Sequence, residues 1–191
     1  MFHVKHFVAL DFETANSRPE SACAIGLARF TSDGGITTMQ TLLKPPQGAD
    51  WFDAGNIGIH GIRPADVATA PNWQAASRQI VEFIGDSPIV AHNMAFDGSV
   101  LDALNHAYRL DPLTNPRHCT LKLARILLHD KLPSRRLPSV YQHYFGVPLE
   151  HHHEALADAL AAGYIFARML QDHGFAQLAV LSPPHSYIAK R

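Results

Sequence analysis

Cysteine is scarce: Cys23 and Cys119 are the only two, far apart and without CxxC spacing. That scarcity argues against a disulfide-framed scaffold and against a thiolate zinc site, and it fits a reducing compartment, with the cytoplasm as the expectation. An excess of one charge is also missing, since 16 Lys and Arg stand against 17 Asp and Glu, a formal net charge of -1. The whole molecule is therefore neither a polycation that coats nucleic acid nor an acidic tail protein. No apolar run approaches the roughly 20 residues of a membrane-spanning helix. Met1 to Leu10 lacks the apolar stretch and cleavage site of a signal peptide, so an unexported chain with no membrane partner is expected. Internal repeats and low-complexity tracts do not occur. What is present is 191 residues, 47% of them hydrophobic, enough for one well-buried core. Thirteen histidines raise a question of metal binding or proton transfer that composition leaves open.

Hydrophobic periodicity predicts a strand over Val4 to Leu10 and two more over Ala22 to Phe30 and Ile36 to Leu43, with Asp33, Gly34 and Gly35 as turn residues between the latter pair. After Lys44, Pro45 and Pro46 the reading is a loop, then a helix over Asn72 to Ile84 between Pro71 and Gly85. A brief buried strand follows at Pro88 to Ala91, leading into a helix that begins near Asp97 and turns Val100, Leu101 and Leu104 inward. Three further helices are predicted over Thr120 to His129, Ser139 to Phe145 and Glu154 to Leu170. Beyond Asp172 the composition loosens and no packing pattern is visible. The expected organisation is one domain over 1–171 and a C-terminal tail over 172–191.

Three polar clusters interrupt this pattern. The first is Asp11 and Glu13 at the end of the first strand, which share a face because strand side chains alternate. They read either as two solvated acids in a turn or as half of a site for a hard cation, which takes oxygen ligands. The second is Asp97, which reads either as a helix N-cap or as a carboxylate turned toward the first strand's end. The third is His151, His152, His153, Glu154 and Asp158. Consecutive residues in regular structure cannot all aim at one ion, which argues against structural zinc. His153 and Asp158 are five positions apart, about 140° around an ideal helix. His153 is therefore expected in the loop before the last helix, with Asp158 in its first turns.

Taken in order, Asp-x-Glu at a strand end, Asp at a later helix start and His-x4-Asp at the last helix resemble the DEDDh exonucleases. These include the DNA polymerase III epsilon subunit, RNase T and oligoribonuclease. Asp11, Glu13, Asp97, His153 and Asp158 match the five signature positions. Similarity extends to Asn56 through Ile62, with its His60-Gly61-Ile62 element, and to Thr120 through Arg125; Cys119 departs from the Asp that relatives often carry there. The related class with tyrosine places it four residues before the last Asp, where this chain has Glu154, so the histidine class is the match.

The resemblance implies an RNase H-like α/β fold, a mixed five-stranded sheet flanked by helices. It implies a 3′-to-5′ exonuclease with two Mg²⁺ ions, or Mn²⁺ in their place, releasing nucleoside 5′-monophosphates. Asp11, Glu13 and Asp158 would hold the ion that activates water, Asp11 would bridge to the second, and Asp97 would act largely through water. His153 would be the general base. The backbone around Phe12 and Thr14 and the side chains of His60 and Phe96 would hold the terminal nucleotide, Phe96 having ordinary core packing as its alternative. DNA 3′ ends, single-stranded or frayed, are the expected substrate. RNA trimming is the alternative, and a non-catalytic polymerase-associated binding module is the rival from another class.

Two features bear on partners. Arg109 to Arg136 holds seven basic residues (Arg109, Arg117, Lys122, Arg125, Lys131, Arg135, Arg136) against Asp111 and Asp130, a strip able to guide a phosphate backbone or simply a solvated helix face. Gln177 to Leu181 resembles the short peptides that dock in the bacterial sliding clamp; a polymerase or clamp partner is expected on that resemblance, with a plain helix end or tail as its alternative.

Overall fold

A computed structural model of the chain describes residues 6–185; the predicted strand start at Val4, the opening of the 1–171 domain and the end of the 172–191 tail lie outside the described residues. Strands β1 (His6–Thr14), β2 (Ala22–Thr31) and β3 (Ile36–Leu42) form an antiparallel meander. Its β2–β3 turn is set by Gly34 at φ 87° and by the Asp33 carboxylate, which accepts from the Gly35 N–H at 3.1 Å. Helices α1 (Ala54–His60) and α2 (Trp73–Ile84) come next. Strand β4 (Ile89–Ala91), helix α3 (Met94–Ala107) and strand β5 (Arg117–Cys119) then extend the sheet in parallel. Helices α4 (Thr120–Leu127), α5 (Leu137–Phe145), α6 (Ala155–His173) and α7 (Phe175–Leu181) complete the chain. The sheet order β3-β2-β1-β4-β5 puts β1 at the centre.

Alternation along β1 divides the interior in two. Val8, Leu10 and Phe12 pack with Ile25 and Leu27 of β2 against α2 and α3. Phe7 and Ala9 pack with Ala28 and Phe30 against α4 to α7. Asp11 and Glu13 continue this second face beyond Ala9, so the strand period alone carries both carboxylates beneath α6. Helix α6 comes unusually close there. A Cβ on Gly26, the partner of Asp11 in β2, would lie 2.3 Å from the Leu156 nitrogen. Gly26→Ala is therefore expected to lower stability by about 1–3 kcal/mol through overpacking, read as a lower melting temperature. The position of Asp158 should shift with it, because α6 carries that residue over β1.

Several elements differ from the sequence expectations. Strand β5 has no counterpart among the predicted elements: three residues, two of them Arg117 and His118, give no apolar period. The segment read as a loop after Pro46 contains α1, with Asp53 capping its start and Gly61 in a left-handed conformation at its end. Residues beyond Asp172 pack although their sequence shows no pattern. Leu178 of α7 is buried, Phe175 meets the His118 ring edge-on at 5.5 Å, and His185 exchanges two 2.9 Å backbone hydrogen bonds with Arg117. With one fully buried residue, α7 leaves no period to read. Among the described residues, no helix is long and apolar enough to cross a membrane.

Candidate active site

Asp11, Glu13 and Asp158 each bring a carboxylate oxygen to within 4.8 Å of the others. Strand alternation supplies the first two, and the close seating of α6 on Gly26 supplies the third. Asp158 lies in the first turn of α6, buried, and one oxygen accepts from the His153 N–H at 3.1 Å. Asp97 stands outside this trio. The N-cap reading is corrected: α3 starts three residues earlier, after Asn93, whose φ of 77° turns the chain into the helix. Asp97 thereby falls in the first turn, only 1% exposed, and accepts from the Phe12 N–H at 3.0 Å. It ties α3 to the end of β1 directly behind Asp11.

These acids oppose one another. Burial, then the charges of Asp97, Asp158 and Glu13, hold the Asp11 carboxyl well above the ordinary range. Burial, then Asp158 and Asp97, push Glu13 up to about 8. Asp97 is raised to about 7, chiefly by burial and against the hydrogen bond from Phe12. Carboxylates so placed need protons or cations to coexist, and an oxygen-only donor set suits Mg²⁺ or Mn²⁺. The residues present thus fit the divalent cation that the resemblance implies.

The histidines sit in the loop before α6, as expected for His153. His151 and His153 adopt φ 55° and 76°, and the His152 and His153 rings stack with centroids 3.7 Å apart. It is His152, unforeseen from the sequence, that hydrogen-bonds the site: its Nδ1 lies 2.9 Å from both Asp158 oxygens. A carboxylate only accepts, so Nδ1 carries the proton. The only sequence signal for it is adjacency to His153. Burial and then His152 lower the pKa of His153, which keeps its imidazole neutral and able to accept a proton near pH 7.

The carboxylates open into a cleft of about 720 Å³ lined also by Phe96, His92, Arg125, Arg135, Arg136, His152 and His153. Phe96 is 42% exposed, which removes the core-packing alternative and leaves a ring face available for stacking. The Phe12 side chain is core, packed near Trp73, which leaves its backbone as the part that borders the cleft. Thr14 is buried, and its carbonyl accepts from Asn56 at 2.7 Å and His60 at 3.2 Å. The Ile62 N–H donates to His60 Nδ1, which fixes the His60 proton on Nε2. His60 does not line the main cleft; it lines a neighbouring cavity of about 420 Å³ that also touches His153.

The basic strip divides. Arg117 is buried in a two-point pair with Asp102, at 2.6 and 2.9 Å, and serves the fold. Arg125, Arg135 and Arg136 face the cleft. His92 anchors the loop of Arg135 and Arg136 to the start of α4, with Nε2 2.9 Å from the Arg135 carbonyl and Nδ1 2.9 Å from the Thr120 hydroxyl.

A mixed sheet with β1 at its centre, carboxylates at its end and α6 across it is an RNase H-like fold carrying an acidic site. The chain belongs to the RNase T family, described as exonuclease, which it matches over residues 8–166. It is 30% identical over 172 residues to the DNA polymerase III subunit epsilon of Aquifex aeolicus, covering 88% of this chain and 82% of that protein. It is 29% identical over 168 residues to the PolC-type DNA polymerase III of Bacillus cereus, covering 87% of this chain but 11% of the polymerase. The nuclease domain of 3′hExo, a DEDDh family member solved bound to rAMP, superposes with a TM-score of 0.74 at 16% identity, over 97% of this chain and 98% of that one.

Proposed function

We propose that this chain is a divalent-metal-dependent 3′-to-5′ exonuclease that releases nucleoside 5′-monophosphates from single-stranded or frayed DNA 3′ ends. The supporting observation is the convergence of Asp11, Glu13 and Asp158 beside a neutral imidazole in an open cleft. Residues 1–171 are taken as the catalytic unit and 172–191 as a C-terminal segment.

Divalent cations, when bound, supply the positive charge against which water loses a proton and the departing 3′ oxygen gains charge. Asp11, Glu13 and Asp158 hold that charge in place, and Asp97 contributes from behind while fixing the Phe12 backbone. His153 takes the proton of the attacking water on a ring nitrogen. Phe96 stacks on a base, which is tolerant of sequence and suits stepwise removal. The Thr14 carbonyl, held by Asn56 and His60, shapes the floor where the terminal nucleotide sits.

Arg135 and Arg136 guide the phosphate backbone into the cleft. Reversing both charges should weaken single-strand binding and reduce the salt slope by about 0.7 for each phosphate left unneutralised. A binding isotherm with unchanged salt dependence rejects this role. A clamp partner at Gln177 to Leu181 draws less support, because Leu178 is buried and a docking peptide must present its apolar anchors.

The epsilon relative favours DNA, and the rAMP-bound neighbour keeps RNA as the second reading. A time course on matched 5′-labelled single-stranded DNA and RNA with Mg²⁺ tests them. Faster stepwise shortening of DNA is expected. Faster shortening of RNA transfers the reading to RNA trimming, and shortening of neither with Mg²⁺ or Mn²⁺ leaves a binding module.

A further inference from the structure

The cluster around Asp158 has two sides of different chemistry. With Asp11 and Glu13, Asp158 completes a set of oxygens only. On its other side, His152, His153 and Asp158 each bring one ligand atom to within 4.8 Å of the others, which makes a set of two imidazole nitrogens and one carboxylate. Hard cations such as Mg²⁺ prefer the first set, and zinc-class cations prefer the second.

The backbone explains how consecutive histidines come to share a target. The left-handed φ of 55° at His151 and 76° at His153 takes this loop out of regular structure, and the His152 and His153 rings stack on one side of it. Both rings line the same cleft wall as Asp158. His152 Nδ1 already faces both Asp158 oxygens at 2.9 Å, the geometry of a ligand pair with a proton where a cation can sit. Zinc held by three protein ligands at its usual bond lengths needs them roughly 3.4 Å apart and leaves a fourth position open. The two stacked rings, both partly exposed, must turn out of their near-parallel arrangement for their in-plane lone pairs to meet at that spacing, and binding is the event that would turn them.

We propose that His152, His153 and Asp158 form a second metal site, selective for a borderline-soft divalent cation such as Zn²⁺, whose occupation inhibits the nuclease. Inhibition follows because the ion takes the lone pair of His153 and the carboxylate of Asp158 out of the reaction. That inhibitory half rests on the roles proposed above for these two residues. The binding half stands on the geometry alone.

Calorimetric titration of the full chain with Zn²⁺, free of Mg²⁺ and of nucleic acid, tests binding. One tight ion per chain is expected, and Co²⁺ in its place should give the visible absorption of a nitrogen-containing tetrahedral site. His152→Ala and His152→Gln should each weaken Zn²⁺ by at least the roughly 10–100-fold that loss of a mere outer-shell partner costs. His151→Ala should leave affinity unchanged, since that ring points away to Glu154. Metal-free melting curves identify any variant that has not folded. Equal losses in the His151 and His152 variants overturn the proposal in favour of an exposed histidine run, and full affinity in both His152 variants places the ion on the carboxylates instead.

Micromolar Zn²⁺ added over millimolar Mg²⁺ should then stop nucleotide release by the unsubstituted chain. Each His152 variant, scaled to its own Mg²⁺-supported rate, should resist. Inhibition undiminished in both variants overturns the inhibitory half. If no nuclease activity is found at all, the titration still decides the metal site, so failure of the exonuclease reading and failure of this one are separable.

Discussion

Asp11→Asn is expected to abolish nucleotide release while raising the melting temperature of the metal-free protein. Asp11 lies partly open to the cleft on β1, with Glu13 and Asp158 beside it and Asp97 behind. Asparagine has nearly the same shape, so without leaving a cavity it spares the fold the cost of holding either a charge or an extra proton in a repulsive cluster. The same change removes a ligand oxygen from the cation-holding trio. Loss of charge stabilisation at a reacting centre costs about 10²–10³-fold in rate per interaction, and Asp11 is proposed to serve both ions. Release from a 5′-labelled oligonucleotide and calorimetric melting in chelator measure the two effects on one preparation. Asp97→Ala should behave differently. It strips the acceptor from the buried Phe12 N–H and should destabilise the fold by about 1–3 kcal/mol as well as impairing activity. A chelated Asp11→Asn protein that melts below the unsubstituted chain contradicts the repulsive cluster.

The second large effect is the suppression of a pH dependence by Mg²⁺. Asp11, Glu13 and Asp97 have folded pKa values raised above their unfolded ones, with Glu13 at about 8 and Asp97 at about 7. Between the unfolded and folded values the folded state binds more protons, so stability from these groups is present below their unfolded values and is lost as pH rises through the folded ones. His92 and His118, held at about 4 by burial, act oppositely, but their effect is confined to pH values below the ordinary histidine range. From pH 7 to 8.5 the carboxylates therefore act almost alone. The metal-free protein should lose on the order of 2 kcal/mol over that interval. Mg²⁺ replaces the protons, so its stabilising increment should be larger at pH 8.5 than at pH 6. Denaturant titrations at each pH, with chelator and with Mg²⁺, give the comparison. A chelated protein that gains stability from pH 7 to 8.5 contradicts the raised carboxyls.

The parts of this site that follow local periodicity are legible in the sequence. Asp11 and Glu13 share a face because β1 continues through them, and His153 precedes α6 because a five-residue separation does not fit one helical face. Asp97 is only half legible. Cap and site readings both fit an Asp near a helix start, and Asn93 makes the choice, since its left-handed turn places the helix start upstream. His152 escapes because the rule against consecutive ligands assumes regular backbone, which positive φ values at His151 and His153 suspend. Arg117 joins the guiding charges in a simple charge count because such a count does not see Asp102 fifteen residues away. β5 and α7 are each too short to carry a period, and both are held by tertiary contacts: β5 by its pairing with β4, α7 by burial of Leu178.

If one carboxylate cluster is both the cation site and the hydrolytic centre, a 5′-labelled single-stranded DNA should report it in three reactions. The unsubstituted chain is assayed in chelator and again after Mg²⁺ is restored, and Asp11→Asn is assayed with the same Mg²⁺. The strand should stay intact in the first, give a ladder shortening one nucleotide at a time from the 3′ end in the second, and stay intact in the third. Shortening in chelator, or an unaltered ladder from Asp11→Asn, would separate the chemistry from this cluster and contradict the shared site.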